Sequence, residues 1–248
     1  MSRHGRLCTT WKMEKRKFEI LSTKVLDRKL ASADWTMDEI PFIEVKEIED
    51  ESIKRKILRL ADQQVTAVFT SSHAAEVVGK YVTQKNSWKI YCIGNKTRDK
   101  LLHFFSADAI ADTGNNASDL AWKIMKDIAV KNVIFFCGSR RRDELPEILI
   151  QNDIGLEEVM VYETIATPAM TTKEYDGILF FSPSAAESFF SLNKLETRTV
   201  CFAIGSTTAA EIEKYTTNPI IKPANATQQS ILSAMSAYFK NIDIDDKE

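Results

Sequence analysis

The chain has 248 residues, 44% hydrophobic and 27% charged, and its 33 lysines and arginines against 35 aspartates and glutamates give a net charge of −2. That balance lacks the basic footprint of a general nucleic-acid binder, and no apolar run approaches the ~18 residues of a membrane span. Only 8 glycines occur, where average usage would give roughly 17, and their spacing excludes every Gly-rich phosphate cradle and the G-x-S-x-G elbow.

The 3 histidines and 4 cysteines are scattered, with no C-x-x-C and no H-E-x-x-H. A bound nucleotide, a zinc ion and a Ser-His-Asp triad are therefore not expected. Cysteines inside apolar runs behave as small hydrophobes, and a reducing, cytoplasmic setting is the simplest reading. Residues 1–17 stand apart. They are basic, with Arg3, Arg6, Lys12, Lys15, Arg16 and Lys17 against Glu14, and have no hydrophobic stretch to make a signal peptide. They read as a flexible tail, with Met13 a natural alternative start and a short transit peptide the rival reading.

The predicted elements alternate between strand and helix. Phe18–Ser22 is a strand, Asp27–Ala33 a helix and Ile40–Val45 a strand. Val65–Phe69 is a strand leading into an Ala-rich helix. Lys89–Ile93 is a strand stopped by Gly94, Lys96–Phe105 a helix, Ala107–Ala111 a short strand and Ser118–Ile128 an amphipathic helix. Asn132–Cys137 is a strand, then comes a charged turn, a helix over Leu145–Gln151 stopped by Gly155, and a strand over Glu158–Glu163. The last block runs from the strand Gly177–Phe181 through an Ala-rich helix to the strand Val200–Ile204. The helix Thr207–Tyr215, the short run Pro219–Lys222 and the helix Gln228–Phe239 follow. Short apolar runs alternating with helical patterns are the mark of βαβ units around a parallel sheet. Their continuous apolar character suits strands covered on both faces.

Two of these blocks are copies. Thr70-Ser71-Ser72-His73-Ala74-Ala75-Glu76 aligns with Phe181-Ser182-Pro183-Ser184-Ala185-Ala186-Glu187 at an offset of 111 residues. Ile93-Gly94-Asn95-Lys96-Thr97 aligns with Ile204-Gly205-Ser206-Thr207-Thr208 at the same offset, and Leu120 and Ile231 keep it. A gap-free offset over about fifty residues marks a repeated supersecondary block. The unmatched N-terminal block then completes the sheet of the second copy. The expected organisation is a discontinuous domain A (18–40 and 168–248) and a domain B (46–160), joined by hinge strands over 40–46 and 160–168. A double crossing of this kind favours a ligand cleft between lobes.

Ligands of open α/β sheets bind beyond the carboxyl ends of the strands. Those ends carry Ser22-Thr23-Lys24, Thr70-Ser71-Ser72, Gly94-Asn95, Gly138-Ser139-Arg140-Arg141-Arg142, Ser182-Pro183-Ser184 and Gly205-Ser206-Thr207-Thr208. Hydroxyls with the free N–H groups of a helix start suit an anion. Each hydroxyl could equally be an ordinary helix N-cap. Thr208-x-x-Glu211 and Ser184-x-x-Glu187 fit capping boxes, while Ser182-Pro183 offers a competing start. Arg140-Arg141-Arg142 is either a cation site, with Arg142 favoured, or a turn neutralised by Asp143 and Glu144. Tyr162 lies where a strand leaves domain B, either as an amphipathic strand residue or with its phenol in the cleft. His73 is at a helix start, and the second copy has no histidine there, which argues against an essential role. His103 reads as a helix-surface residue, and the acidic pairs Glu157-Glu158 and Asp245-Asp246 as solvated ends.

In order and spacing, Phe69-Thr70-Ser71 with Ala74, Tyr91-Cys92-Ile93-Gly94-Asn95, Gly138-x-x-x-Arg142-x-x-Leu145, Val161-Tyr162-Glu163-Thr164, Phe181-Ser182-Pro183-Ser184-Ala185 and Phe202-Ala203-Ile204-Gly205-Ser206-Thr207-Thr208-Ala209 resemble the uroporphyrinogen-III synthase family over about residues 18–240. Ser72 stands where that family commonly has proline, and Lys24 where arginine is frequent. The resemblance implies an α/β fold of two similar flavodoxin- or Rossmann-like lobes with parallel sheets, joined by a two-stranded ladder. It implies a cofactor-free monomeric lyase of haem biosynthesis that cyclises hydroxymethylbilane, inverting the last pyrrole ring and losing water. Transient contact with hydroxymethylbilane synthase belongs to the same expectation. Tyr162 is then the catalytic candidate, and Lys24, Thr70, Ser71, Ser72, Asn95, Arg142, Ser182, Ser184, Ser206, Thr207 and Thr208 bind the substrate's carboxylates. The rival classes are a non-catalytic two-lobed sensor of a polycarboxylate, which a fused output domain would favour, and a structural interaction module, for which the acidic tail is too small.

Overall fold

The computed structural model describes residues 17–27, 32, 34–82 and 87–245. In chain order the first elements are β1 (Phe18–Ser22), β2 (Trp35–Glu39), β3 (Ile43–Glu47), α1 (Glu51–Ala61), β4 (Thr66–Phe69) and α2 (Ser72–Gly79). Next come β5 (Lys89–Ile93), α3 (Gly94–Leu101), β6 (Ile110–Gly114), α4 (Ala117–Lys126), β7 (Asn132–Gly138), α5 (Glu144–Gln151) and β8 (Gly155–Ala166). The chain ends with β9 (Gly177–Phe180), α6 (Pro183–Phe190), β10 (Val200–Ala203), α7 (Ser206–Ile212), β11 (Ile220–Ile221) and α8 (Gln228–Asp245).

The chain divides into two units, one up to Ile43 and from Ala166, the other Glu44–Ile165. The first holds a five-stranded sheet ordered β11-β10-β9-β1-β2, all of it parallel. The second holds a six-stranded sheet ordered β3-β8-β7-β4-β5-β6, parallel from β8 through β6. Numbering the repeated strands one to three and the two added strands four and five, both sheets contain the order 3-2-1-4-5, and β3 extends the second beyond β8. The added pair is β7 and β8 in one unit and β1 and β2 in the other.

Successive strand residues face opposite sides, and the core follows that period. In the second unit Ala67, Phe69, Ile90, Cys92 and Phe136 meet α1, α2 and α3 on one face. Val68, Tyr91, Phe135 and Cys137 meet α4 and α5 on the other. In the first unit Leu21, Ile178, Phe180 and Cys201 meet α6 and α7, whereas Ile20, Leu179, Val200 and Phe202 meet α8. Each unit is thus a three-layer α/β/α sandwich, and covering both faces explains why β9 and β10 are buried at every position.

The 111-residue offset holds in local geometry. β4 and β9 begin on it, as do α2 and α6, and so do the helix caps: Ser71 and Ser182 cap α2 and α6, and Asn116 caps α4 as Thr227 does α8. Gly94 and Gly205 share a sequence position but not a conformation. Gly94 has φ 69°, the left-handed region that favours glycine, while Gly205 has φ −168°, extended backbone.

Several boundaries differ from the sequence reading. Of the expected strand Ile40–Val45 only Ile43–Val45 is strand, the start of β3. Ile40–Phe42, where Pro41 has no N–H to give to a ladder, separate it from β2, which no expected element covers. Gly155 does not stop α5. That helix ends at Gln151, the left-handed residue is Asp153 (φ 58°), and Gly155 opens β8. The short strand expected at Ala107–Ala111 is a 3-10 turn over Ala107–Ala109, then β6. α1, amphipathic through buried Ile57 and Leu60, has no counterpart among the expected elements. The tail 1–16 and residues 28–31 and 33 of the expected helix Asp27–Ala33 lie outside the described residues.

Phe136 is fully buried and stacks on Phe69 (5.2 Å between centroids) and Trp88 (5.5 Å). Phe136→Ala is expected to cost about 3–5 kcal/mol, whereas Trp122→Ala, at a side chain 60% exposed, should stay within about 0.5 kcal/mol. Urea unfolding of the two variants checks this.

Candidate functional site

Strand order reverses between β4 and β7 in the unit Glu44–Ile165. β4 feeds α2 on one face of the sheet and β7 feeds α5 on the other. Such a switch point opens a crevice beyond the strand ends. A pocket of about 390 Å³ lies there, bordered by Thr70, Ser71, Asn116, Gly138, Arg142 and Tyr162. It brings together four of the residues singled out from sequence, namely Thr70, Ser71, Arg142 and Tyr162.

Tyr162 reaches this pocket through an irregularity. Along β7 and β8 the register runs regularly to Cys137↔Met160, then slips one residue so that Gly138 faces Tyr162. A bulge of this kind re-aims a side chain, and here both Val161 and Tyr162 pack on the same cluster. The Tyr162 ring lies so close over Gly138 that a Cβ there would overlap it. The backbone is pinned alongside: Ser139 N–H donates to the Tyr162 carbonyl at 3.1 Å, and Thr164 N–H to Ser139 Oγ at 3.0 Å. The half-buried phenol donates to Ser71 Oγ at 3.0 Å. Burial pushes its pKa above the ordinary tyrosine value, partly opposed by the Ser71 bond, so the hydroxyl is a proton donor throughout the neutral range. The His73 ring lies 5.7 Å from the Tyr162 ring. Desolvation, with Lys96 and Lys100 nearby, pushes the imidazole below its ordinary value, which favours the neutral form at pH 7.

The arginine cluster divides its labour. Arg141 pairs with Glu158 at 2.6 Å and with Asp143, and so ties the β7–α5 turn to β8. Arg142 is exposed at the pocket border. Two residues of the border escaped the sequence reading. Asn116 caps α4 through Asp119 N–H at 2.8 Å, and Asn115 donates to the Asp119 carboxylate. The signal was present in the loop asparagines, since Asn116 and Thr227 stand at the 111 offset. Ser72 is the first residue of α2 and Asn95 the second of α3; the Asn95 side chain lies outside the described atoms.

The other unit presents its own strand ends. Ser182 caps α6, accepting from Ala185 N–H at 3.1 Å, with Pro183 in the first turn. The competing start at Ser184 is therefore not used, and Ser184 is the second residue of α6. Lys24 Nζ sits 4.8 Å from the Phe181 ring centroid. Ser22 and Thr23 are fully buried and bonded internally, Thr23 donating to the Leu179 carbonyl at 2.8 Å, so that loop offers no hydroxyls to solvent. Ser206 and Thr207 are exposed at the start of α7, whose N-cap is Gly205, a residue without a capping side chain. Thr208 forms no capping box. It lies within α7, only 1% exposed, and its hydroxyl is sealed from any ligand in solution.

Among the described residues, no group of three His, Cys, Asp or Glu side chains is arranged to hold a metal ion, and no helix is long and apolar enough to cross a membrane. Cys137 and Cys201 are pushed up to about 11 and about 12 by burial, so they stay thiols. Because only glycine leaves room for the ring, Gly138→Ala should displace the Tyr162 phenol from Ser71 while the chain still folds. ¹³C-tyrosine NMR would show the Tyr162 signal shifted; an unmoved signal would mean that the ring does not depend on Gly138.

The family model described as "Uroporphyrinogen-III synthase HemD" matches residues 24–233. Among solved structures, the uroporphyrinogen-III synthetase of Helicobacter pylori is similar, with a TM-score of 0.60 and 15% identity over 89% of this chain and 99% of that one. A mutant uroporphyrinogen III synthase of the extremely thermophilic bacterium Thermus thermophilus has a TM-score of 0.66 and 14% identity over 91% of this chain and 99% of that one. At such identities the structures speak for the fold, and the family match covers most of the sequence. The chain belongs to the uroporphyrinogen-III synthase family.

Proposed function

We propose that the chain is a uroporphyrinogen-III synthase, a cyclising lyase that closes hydroxymethylbilane to uroporphyrinogen III with loss of water and inversion of the last pyrrole ring. The observation that carries this reading is the family match across residues 24–233. The strand-end loops support it through their chemistry. The substrate carries eight carboxylates, and the loops supply hydroxyls, helix-start N–H groups and cations, the donors such a ligand needs.

The electron-rich pyrroles expel the terminal hydroxyl largely unaided, leaving a resonance-stabilised azafulvenium cation. What the protein adds is a protonated donor at the leaving oxygen and a conformation that favours closure at the substituted carbon of the last ring. Tyr162 is the proposed donor, because burial keeps its phenol protonated beside a pocket at the strand-order switch. Arg142, with Thr70, Ser72 and Asn95, is assigned to carboxylates in one unit. Lys24, Ser182, Ser184, Ser206 and Thr207 are assigned to them in the other. Thr208, sealed in α7, leaves that set.

Consumption of hydroxymethylbilane tests the reading. The wild-type chain should outpace spontaneous closure, and a chain that does not accelerate consumption is not this enzyme. Tyr162→Phe keeps the packing and removes the donor. Its kcat should fall on the order of 10²-fold, the low end for a general acid, because the substrate does much of the work; near-wild-type turnover would remove Tyr162 from the mechanism. Arg142→Ala should raise KM several-fold at little cost in kcat, the pattern of lost uniform binding.

A further inference from the structure

We propose that Ser71 is a positioning residue that fixes the Tyr162 phenol in the crevice and acts on the reaction through it. This rests on the role assigned to Tyr162 above. Ser71 Oγ accepts two hydrogen bonds, one from His73 N–H at 3.1 Å in the first turn of α2 and one from Tyr162 O–H at 3.0 Å. A hydroxyl oxygen has two acceptor sites, so both are filled and only the Ser71 proton is left to donate. The oxygen is thereby held by the helix start, and it holds the phenol in turn.

The internal repeat separates this role from simple capping. Ser182 stands at the same position in the second copy. Its backbone is extended like that of Ser71, and it caps α6 with a bond of the same length, 3.1 Å to Ala185 N–H. Capping therefore accounts for a serine at both positions. The tyrosine bond is found at Ser71 and, among the described residues, has no counterpart at Ser182. Gly138 makes room for the ring and the β8 bulge aims it, which brings the phenol oxygen to Ser71. Ser71 holds it there and sets the direction of its O–H.

The chemistry follows from the free proton on Ser71. As the C–O bond of the substrate's hydroxymethyl group breaks, the bonding pair leaves with oxygen, the Tyr162 proton passes to that oxygen and water departs. The Ser71 O–H turns to donate to the phenolate that remains. Ring closure later releases a proton from the last pyrrole, which restores the phenol. The same bond eases ionisation of a phenol that burial otherwise holds protonated.

Four variants test the assignment. Ser71→Ala should lower kcat about tenfold with KM within about twofold, Ser71→Thr should restore most of the loss, and Ser71→Ala with Tyr162→Phe should be no slower than Tyr162→Phe alone, as for residues acting as one unit. A raised KM at unchanged kcat, or losses that multiply, would overturn the proposal and return Ser71 to carboxylate binding. Ser71→Gly keeps a competent N-cap residue and serves where the alanine variant folds poorly. A second readout is independent of turnover. In ¹³C-tyrosine spectra of the free protein, Ser71→Ala or Ser71→Gly should move the Tyr162 ζ-carbon signal and Ser182→Ala should not. If the wild-type chain fails to accelerate consumption, the enzymatic reading falls, while this signal still reports whether Ser71 fixes the phenol; an unmoved signal sinks the positioning role alone.

Discussion

The parallel pairing of β1 with β9, Ile20–Ser22 against Gly177–Leu179, is the constraint on which the first unit depends. β9 is buried at all four positions, so it needs a strand on each side as well as helices on both faces. β10 supplies one side. The other comes from a segment more than 150 residues earlier in the chain. Without it, backbone donors of a central strand would be left unpaired in an apolar interior. The second unit meets the same demand locally, with β7 beside β4. Both sheets therefore reach the 3-2-1-4-5 order, one with contiguous chain and one by recruiting the N-terminal strand.

That order decides where chemistry is placed. A reversal of strand order sends adjacent connections to opposite faces and leaves a crevice at the carboxyl ends. In the second unit the crevice is furnished by a bulge, a glycine and a capped helix start, which bring the Tyr162 phenol to Ser71. The same few devices serve stability and function together. Ser71 caps a helix and meets the phenol, Gly138 ends a strand and seats the ring, and Arg141 closes a turn while Arg142 borders the pocket.

Much of the fold was legible because burial on both faces leaves a strong trace in sequence. Continuous apolar runs such as Phe180 and its neighbours, or Val200–Ala203, mark central parallel strands, and the 111-residue offset exposed the repeat. What escaped were features set by tertiary context. Trp35–Glu39 alternates apolar with Thr36 and Asp38, as an edge strand can, and carries no central-strand signature. Thr208-x-x-Glu211 looks like a capping box in sequence, yet burial puts Thr208 inside the helix. Which arginine of Arg140-Arg141-Arg142 would pair with Glu158 depends on a strand partner that lies outside any local window. The approach of Tyr162 to Ser71 depends on a one-residue slip in register, which no periodicity reveals. Glycine scarcity marked the strand ends well, but Gly94 alone of the matched pair needs its left-handed backbone.

A protein that positions a reactive chain, rather than attacking it, is judged by what its product looks like. Unassisted closure of hydroxymethylbilane gives the type I macrocycle, whereas closure with the last ring inverted gives type III. The most direct measurement is the isomer composition of the porphyrinogen formed when hydroxymethylbilane is supplied to the purified chain. Type III should predominate; type I product alone would contradict the account.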